Sequence, residues 1–440
     1  MREMRDSGIE WVGQMPKGWE LRRAKTLFTQ RNSKGNEIEV LLSPTQKYGV
    51  VPQSQLEGVV QVKEDTDLQM FKTVHKGDFV ISLRSFQGGF EYSLYEGVCS
   101  PAYQVFYPTS PICDTYYRYL FKSQSFISKM NNLTVGIREG KNIQYVDFAN
   151  SQIPVPPLAE QERIAAFLDA ECAEIDAVLE KTRASIEEYK KLKQAVITQA
   201  VTKGVRGDRP MKDSGIEWIG DIPAEWKVAS IGRFCFVTKL AGFEFTNDMM
   251  SNIQDSGDIP IVRAQNIKMG KFINNISEFI PYRISQKLER CALNRKCLII
   301  TFIGAGIGEV AIFNEPKRYH LAPNVAKIVI NVGMEHFVTE EYLLYFLMSF
   351  AGQEDINKIK KATAQPSLSM GTIRSIKMVL PDSIEEQSEI VSYLDMRCAS
   401  IDALIAKKQQ YLIEIENYKK SLIYEYVTGK KEVKTNVLAD

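Results

Sequence analysis

Two long stretches of the chain repeat apolar residues at the spacing of an amphipathic α-helix. Residues 158–203 contain neither proline nor glycine, and the second stretch lies between Pro381 and Gly429. Apolar positions recur at alternating steps of four and three, the heptad pattern of helices that pack along a seam. The predicted seam residues are Ile175, Leu179, Ile186, Tyr189 and Val196 in the first stretch, and Ile401, Ile405, Leu412, Ile415 and Leu422 in the second. At 1.5 Å per residue each helix is about 65 Å long and needs a partner to cover its apolar stripe.

The two stretches are copies within an internal repeat. The segment Asp6-Ser7-Gly8-Ile9-Glu10-Trp11 returns 207 positions later as Asp213-Ser214-Gly215-Ile216-Glu217-Trp218, and Pro16 and Trp19 return as Pro223 and Trp226. We call residues 6–19 and 213–226 the tryptophan segments. A second block starts at Glu160-Gln161 and returns 226 positions later at Glu386-Gln387. Such a long-period repeat decides the architecture, which is a tryptophan segment, a variable domain and a long helix, repeated once.

Charge runs in the same direction along both predicted helices. Acidic residues dominate the N-terminal half of each helix and lysines the C-terminal half, which matches the helix dipole. Antiparallel packing of the two helices would set acidic residues against basic ones at both ends, whereas parallel packing would set like charges together. Solvated charges on ordinary amphipathic helices would explain one such helix, but not two ungapped copies. We therefore expect an antiparallel pair with a pseudo-twofold axis.

The variable domains contain apolar runs that end in glycine-rich turns, such as residues 77–82 and 297–301, and these predict buried strands. The predicted fold class is mixed α/β, with two globular domains linked by two long helices that pack as an antiparallel coiled coil. The predicted boundaries are residues 1–156 for the first domain, 157–203 for the first helix, 204–212 for a linker, 213–380 for the second domain, 381–429 for the second helix and 430–440 for a tail.

Composition narrows the class of protein. The 440 residues are 44% hydrophobic and 25% charged, with 55 Lys and Arg against 54 Asp and Glu, so any nucleic-acid surface must be a local patch. No apolar run approaches the roughly 18 residues of a membrane span, and the first residues are charged where a signal peptide would be apolar. Seven cysteines without a CxxC pair favour free thiols over zinc. We expect a cytoplasmic protein.

The repeated residues together resemble a known family. They are the run Ile153-Pro154-Val155-Pro156-Pro157-Leu158-Ala159-Glu160-Gln161-Glu162-Arg163-Ile164, the Leu168-Asp169 and Ile175-Asp176-Ala177 that follow it, their second copies and the tryptophan segments. This arrangement resembles the specificity subunit of type I restriction-modification systems over essentially the whole chain. The second copy departs from it by opening with Leu380-Pro381-Asp382-Ser383 in place of the fuller proline run.

The resemblance implies a division of labour. Each variable domain would be a target recognition domain that reads one half of a bipartite site in double-stranded DNA, and the helices would dock two methylation subunits and set the spacing of the half-sites. The methylation subunits would hold S-adenosylmethionine and modify adenine, while separate restriction subunits would use ATP and magnesium. By this resemblance the chain itself carries no cofactor and no metal, and it belongs in a prokaryotic cytoplasm.

DNA contact requires cations for phosphates and Arg, Lys, Asn, Gln or Ser side chains that reach base edges from loops. We therefore expect the DNA-contacting side chains in exposed loops. The candidates in the first domain are Lys47, Tyr48, Arg84, Ser85, Gln87, Arg138, Lys141 and Asn142. The candidates in the second domain are Arg263, Gln265, Asn266, Lys268, Lys358, Lys360, Lys361 and Gln365.

Nothing in the sequence indicates catalysis by this chain. The three histidines lack a metal-ligand spacing, and no Gly-Lys-Ser or Gly-Lys-Thr phosphate loop is present. The glycines at 304, 306 and 308 follow a strand, but the dinucleotide fingerprint would need a glycine where Glu309 stands, so a turn between strands is the preferred interpretation. We therefore expect a DNA-recognition subunit whose chemistry belongs to its partners.

Three alternatives remain open from the sequence. The chain could serve a fused methylase and nuclease of another restriction class, or act as a coiled-coil scaffold that does not read DNA. A degenerate methyltransferase domain is the third alternative, and it lacks the Asn-Pro-Pro-aromatic or Asp-Pro-Pro-aromatic tetrapeptide that such enzymes use to hold a flipped base.

Overall fold

A computed structural model describes residues 2–35, 40–56, 68–82, 89–133, 143–362 and 366–434, without the side chains of 133 and 359–362. The chain divides into two compact units. The first unit comprises residues 1–183 and 410–440, and the second comprises residues 184–409. Each unit contains one globular domain and a portion of both long helices. The mixed helix and sheet content agrees with the predicted fold class.

Both long helices are continuous. The first, α4, runs from Leu158 to Lys203, and the second, α10, runs from Ile384 to Val427. Gly204 and Gly429 follow them with positive φ angles of 80° and 75°, a conformation that favours glycine after the last turn of a helix. A side chain at Gly429 would also collide with Trp19, since its β-carbon would lie 2.9 Å from the indole ring.

Short strands and helices form the globular domain of the first unit. Its strands are β1 Met4–Asp6, β2 Gln14–Pro16, β3 Glu20–Arg23, β4 Phe28–Arg31, β5 Leu42–Thr45, β6 Gly49–Pro52, β7 Lys72–Val74, β8 Phe79–Ile81, β9 Phe90–Tyr92, β10 Gly97–Cys99, β11 Gln104–Pro108 and β12 Gln152–Val155. Its helices are α1 Asp114–Lys122, α2 Gln124–Leu133 and α3 Tyr145–Asn150.

The globular domain of the second unit has the same plan with additional elements. Its strands are β13 Met211–Asp213, β14 Asp221–Pro223, β15 Lys227–Ser230, β16 Cys235–Lys239, β17 Ile259–Val262, β18 Ile267–Lys268, β19 Lys271–Phe272, β20 Phe279–Ile280, β21 Ala292–Leu293, β22 Cys297–Thr301, β23 Val310–Phe313, β24 Tyr319–Leu321, β25 Val325–Ile330 and β26 Lys377–Leu380. Its helices are α5 Gly242–Glu244, α6 Tyr282–Lys287, α7 Glu340–Met348, α8 Phe350–Ala362 and α9 Met370–Ser375.

The sheets repeat between the units. The first unit has an antiparallel four-stranded sheet in the order β4-β11-β8-β9, and the second has the matching order β16-β25-β22-β23. The pairs β1-β2 and β3-β12 likewise correspond to β13-β14 and β15-β26. Each sheet packs against its helices around a buried apolar core that includes the tryptophan at the end of the tryptophan segment, Trp19 or Trp226. The repeat in the sequence is therefore a repeat of fold.

Within each unit, ion pairs join the portions of α4 and α10 that the unit contains. In the first unit Lys419 Nζ lies 2.7 Å from Asp176 Oδ1, and Arg183 Nη2 lies 2.6 Å from Glu416 Oε1. Residue numbers rise along α4 from 176 to 183 while those of the partners on α10 fall from 419 to 416, so these portions run antiparallel. In the second unit Lys193 Nζ lies 2.7 Å from Asp402 Oδ2. Lys408 Nζ there lies 5.7 Å from the ring centroid of Tyr189, which gives the same direction.

The predicted seam residues differ in burial along the helices. Five of them are buried, at 9% exposure or less: Ile175, Leu179, Ile186, Ile401 and Leu422. The other five, Tyr189, Val196, Ile405, Leu412 and Ile415, are half-buried.

Candidate nucleic-acid interface

The tryptophan segments and the Glu-Gln pairs form one clamp in each unit. In the first unit Trp19 Nε1 donates to Glu160 Oε2 at 2.9 Å, and Arg2 pairs with the same carboxylate while its guanidinium lies 5.3 Å from the Trp19 ring centroid. Arg2 also donates to the carbonyl oxygen of Gly429 at 2.5 Å. The clamp therefore ties the start of α4 to the residue that follows α10.

The second unit builds the same clamp from equivalent residues. Trp226 Nε1 donates to Glu386 Oε2 at 3.2 Å, Arg209 Nη1 lies 2.6 Å from Glu386 Oε1, and the Arg209 guanidinium lies 5.0 Å from the Trp226 ring centroid. Sequence reasoning missed both arginines. The displacement of 207 that aligns the tryptophans also aligns Arg2 with Arg209, and that signal could have found them.

The glutamine of each Glu-Gln pair and two tyrosines complete the attachment. Gln161 Oε1 accepts the backbone N–H of Cys113 at 2.9 Å beside α1, and Gln387 Oε1 accepts that of Thr339 at 3.1 Å beside α7. The hydroxyl of Tyr116 donates to the carbonyl of Val427 at 2.7 Å, and that of the equivalent Tyr342 lies 3.1 Å from the carbonyl of Val201 and 2.9 Å from that of Val379. Burial raises the pKa of both phenols well above the usual value, so both remain protonated donors.

Two candidate loops of the second unit meet at one end of its four-stranded sheet. Residues 302–309 connect β22 to β23 as a hairpin, which confirms a turn rather than a nucleotide-binding loop. The backbone N–H of Leu368 donates to the carbonyl of Phe302 at 2.8 Å, and Ile303 forms a β-bridge with Ser367. The hairpin therefore lies beside the segment that follows α8, the helix that contains the predicted cations Lys358, Lys360 and Lys361.

Two residues at this sheet end were not among the sequence-based candidates. Lys239, the last residue of β16, places its ammonium 4.4 Å from the ring centroid of Phe302. Asn324 is exposed, has a positive φ of 78°, and its carbonyl accepts the N–H of Phe302 at 2.9 Å. Both depend on the order of strands in the sheet, which a local sequence pattern does not encode.

The candidates at residues 263–268 have different environments. Asn266 is only 2% exposed, accepts the N–H of Arg263 at 2.9 Å and donates to the carbonyls of Ile273 and Asn275 at 3.1 Å each. Its amide is committed to bonds within the loop, and this arrangement does not support the prediction that it reads a base. Arg263 pairs with Glu278, with Nε 2.6 Å from Oε2. Gln265 and Lys268 are exposed.

The remaining candidates divide between described and undescribed residues. Lys358 is exposed, with Nζ 3.4 Å from the ring centroid of Trp218. Lys47 is exposed, and Tyr48 is 60% exposed with Lys47 Nζ 4.9 Å from its ring centroid. The candidates outside the described residues or side chains are Arg84, Ser85, Gln87, Arg138, Lys141, Asn142, Lys360, Lys361 and Gln365. These nine stay predictions.

The described part of the chain contains no group of three or more His, Cys, Asp or Glu side chains that could hold a metal ion. Among the described helices, none is long and apolar enough to cross a membrane.

A sequence profile named Type I restriction modification DNA specificity domain matches residues 16–188 and again residues 223–417. The chain belongs to this type I specificity family. Each match covers one globular domain and much of the helix that follows it, as the repeat predicts.

Individual relatives agree with the family. The type I specificity chain is 27% identical over 305 residues to the MjaVIII specificity subunit of Methanocaldococcus jannaschii, a match that spans 67% of this chain and 66% of that protein. It is 24% identical over 445 residues to a putative MjaX specificity subunit of the same organism, with 96% of both chains covered. A solved chain from a study of type I complex assembly and conformational transition has a TM-score of 0.70 at 15% identity, with 95% of this chain and 99% of that chain covered, and shares the fold.

Proposed function

We propose that the chain is the DNA specificity subunit of a type I restriction-modification complex and reads a bipartite site with one half per globular domain. The observation that carries the proposal is the duplicated fold, in which two like sheets are each clamped to the long helices by an Arg-Trp-Glu set. Two copies of one reader suit a site with two half-sites. Phosphate contacts would orient each domain, and side chains from the loops would select bases.

We further propose that α4 and α10 form an antiparallel coiled coil that sets the distance between the readers. The antiparallel ion pairs within each unit and the continuity of both helices support this arrangement. Half-sites read from one face of B-DNA lie about 34 Å apart for one helical turn, and a rod of about 65 Å can hold two domains at that separation.

The helices also expose apolar residues that partner subunits could cover. Val178 on α4 and Leu404 on α10 occupy equivalent positions in the repeat and are 40% and 42% exposed. Leu192 and Tyr418, another equivalent pair, are 45% and 55% exposed. We propose that these positions contact two methylation subunits, which would supply S-adenosylmethionine chemistry, and that restriction subunits would supply the ATP- and magnesium-dependent steps. This chain would then act without catalysis of its own.

Methylation mapping tests the proposal. The chain is expressed with its methylation subunits, and methylated adenines are mapped in the host DNA, where a bipartite motif with an unread spacer is expected. Replacing residues 15–152 with the equivalent of another family member should change one half of that motif only. A change in both halves, or methylation without any motif, would contradict the modular function.

A further inference from the structure

The tip of the β5–β6 hairpin presents Lys47 and Tyr48 on a well-ordered turn. Thr45 Oγ1 accepts the N–H of Tyr48 at 3.0 Å and donates to the carbonyl of Gly49 at 2.9 Å. Gly49 has a positive φ of 74°, and an added β-carbon would lie 2.7 Å from the carbonyl oxygen of Tyr92. The turn is thus closed by its own bonds and packs closely on the strand beside it.

An ion pair between a half-buried lysine and a buried glutamate anchors this tip to the domain. Lys122, the last residue of α1, donates from Nζ to the carbonyl of Gln46 at 2.9 Å. The same ammonium lies 2.6 Å from Glu91 Oε2 on β9, and the Glu91 side chain is only 2% exposed. Lys122 therefore links a buried carboxylate to the backbone of the turn, one residue before Lys47.

The second unit has no ion pair beneath the tip of its equivalent hairpin, although Lys268 on β18 forms a largely exposed pair with Glu309, Nζ to Oε2 3.5 Å. Met348 ends α7 as Lys122 ends α1, and Val310 is opposite Ile300 as Glu91 is opposite Val80. The tip of the β18–β19 hairpin rests on this apolar pair: the N–H of Gly270 donates to the carbonyl of Val310 at 2.8 Å, and a β-carbon at Gly270 would lie 2.8 Å from Met348 Cε.

The comparison of the two hairpins distinguishes what attaches a tip to its domain from what sets the orientation of the tip. Met348 and the Val310 carbonyl hold the second tip without an ion pair beneath it, and burying a carboxylate carries a desolvation cost that an apolar side chain avoids. What Lys122 adds is a directed bond to one carbonyl, which fixes the peptide before Lys47. It also places a cation, with 29% of its side chain exposed, beside the tip.

We propose that Lys122, held by Glu91, is a positioning residue for DNA reading by the first domain, because it sets the orientation of Lys47 and Tyr48. This inference rests on the proposed function. Lys47 would contact phosphate, and the exposed face of Tyr48 would contact a base or sugar at the same step of the half-site.

The test transplants the apolar pair of the second unit into the first. The double variant K122M/E91V is purified with its methylation subunits, and methylation is measured on duplexes that carry the motif with single base-pair changes. The thermal midpoint should stay within a few degrees of the unaltered complex. Discrimination should fall about tenfold at one or more base pairs of the half-site read by the first domain, a typical value for one base contact, and stay unchanged in the other half-site.

Three further variants sharpen the result. Tyr48→Ala should lose discrimination at the same base pairs, and its effect should add little to that of K122M/E91V, since both act on one contact. Lys122→Arg keeps a donor and should keep the discrimination. Lys25→Met removes an exposed lysine of the same unit as a charge control and should leave both half-sites unchanged.

The outcomes distinguish this inference from the proposed function. A folded K122M/E91V complex that discriminates as well as the unaltered one, or that loses both half-sites equally, overturns the positioning role. If the unaltered complex methylates no bipartite motif, the proposed function itself fails, whatever the variants do.

Discussion

Trp19 and Trp226 each donate an indole N–H to a glutamate of a long helix, whereas the hairpin tips of the two units rest on unlike side chains. The tip of the first unit is held by Lys122 and Glu91, and that of the second by Met348 and Val310. Contacts with the helices are thus repeated atom by atom, because both domains must fit the same helical surface. Contacts around the candidate recognition loops have diverged, since each domain would read its own sequence.

The largest expected effect tests the repeated contacts. Glu386→Ala leaves Arg209 and the Trp226 indole without their shared partner. Because the Glu386 side chain is only 3% exposed, water cannot replace it, and we expect the free energy of unfolding to fall by about 4 kcal/mol. Glu160→Ala should cost about 2 kcal/mol, because its side chain is 16% exposed and water can replace part of the lost bonding. Urea denaturation followed by tryptophan fluorescence measures both. Equal losses would show that burial does not set the difference.

The next effect tests the charged tip anchor alone. Lys122→Met leaves the Glu91 carboxylate buried without a cation and should cost about 3 kcal/mol at pH 8. Burial raises the pKa of Glu91 and Lys122 opposes that rise, so removing Lys122 raises this pKa further. The protonated carboxyl is uncharged and can stay buried without a cation. The stability lost in Lys122→Met should therefore be small near pH 4 and grow as the pH rises.

Thermal midpoints of Lys122→Met and the unaltered chain, measured from pH 4 to pH 8, check this dependence. Met348→Leu in the second unit is the matched control and should show no such trend. A loss that is independent of pH would mean that Glu91 does not cause it.

A smaller loss of stability is expected when the tyrosines that bond to the long helices lose their hydroxyls, Tyr116 to α10 and Tyr342 to α4. Tyr116→Phe and Tyr342→Phe each remove one buried hydroxyl donor and should cost about 1 kcal/mol. The two values should be similar, because each hydroxyl is a single buried donor with a helix carbonyl as acceptor, Val427 for Tyr116 and Val201 for Tyr342, beside the further acceptor Val379. Calorimetric unfolding measures both variants. A loss in one unit only would break the equivalence of the two attachments.

The smallest effect concerns the ion pairs between the helices. Asp176→Ala and Asp402→Ala remove exposed partners of Lys419 and Lys193, and each should cost about 0.5 kcal/mol or less. The charge exchange D176K/K419D should recover what Asp176→Ala loses, as judged by thermal midpoint. A large loss from either single change would indicate a role beyond a surface ion pair.

The long helices could be predicted closely because their pattern is local. The heptad spacing, together with the absence of proline and glycine, predicted helices at residues 157–203 and 381–429. The structure has helices at Leu158–Lys203 and Ile384–Val427. The repeat likewise predicted two domains of one fold. These features depend on neighbours within a few turns, which a sequence displays directly.

The candidate site was harder because it depends on distant pairing. Asn266 lies in a polar run that is typical of an exposed turn, yet its amide bonds to Ile273 and Asn275 and is buried. Lys239 reaches the candidate hairpin only because β16 and β22 both flank β25. Long-range strand order brings such residues together, and no local spacing reports it.

The clamp has a consequence for how such genes change. Trp19 and Glu160 lie 141 positions apart, and Trp226 and Glu386 lie 160 apart, so each clamp brackets almost an entire reader. Homologous recombination between two alleles within one bracket would exchange the reader and leave the resident tryptophan and glutamate, already matched, at its two ends. A cell could thereby acquire a new target by exchanging one segment, without having to adapt the scaffold to it.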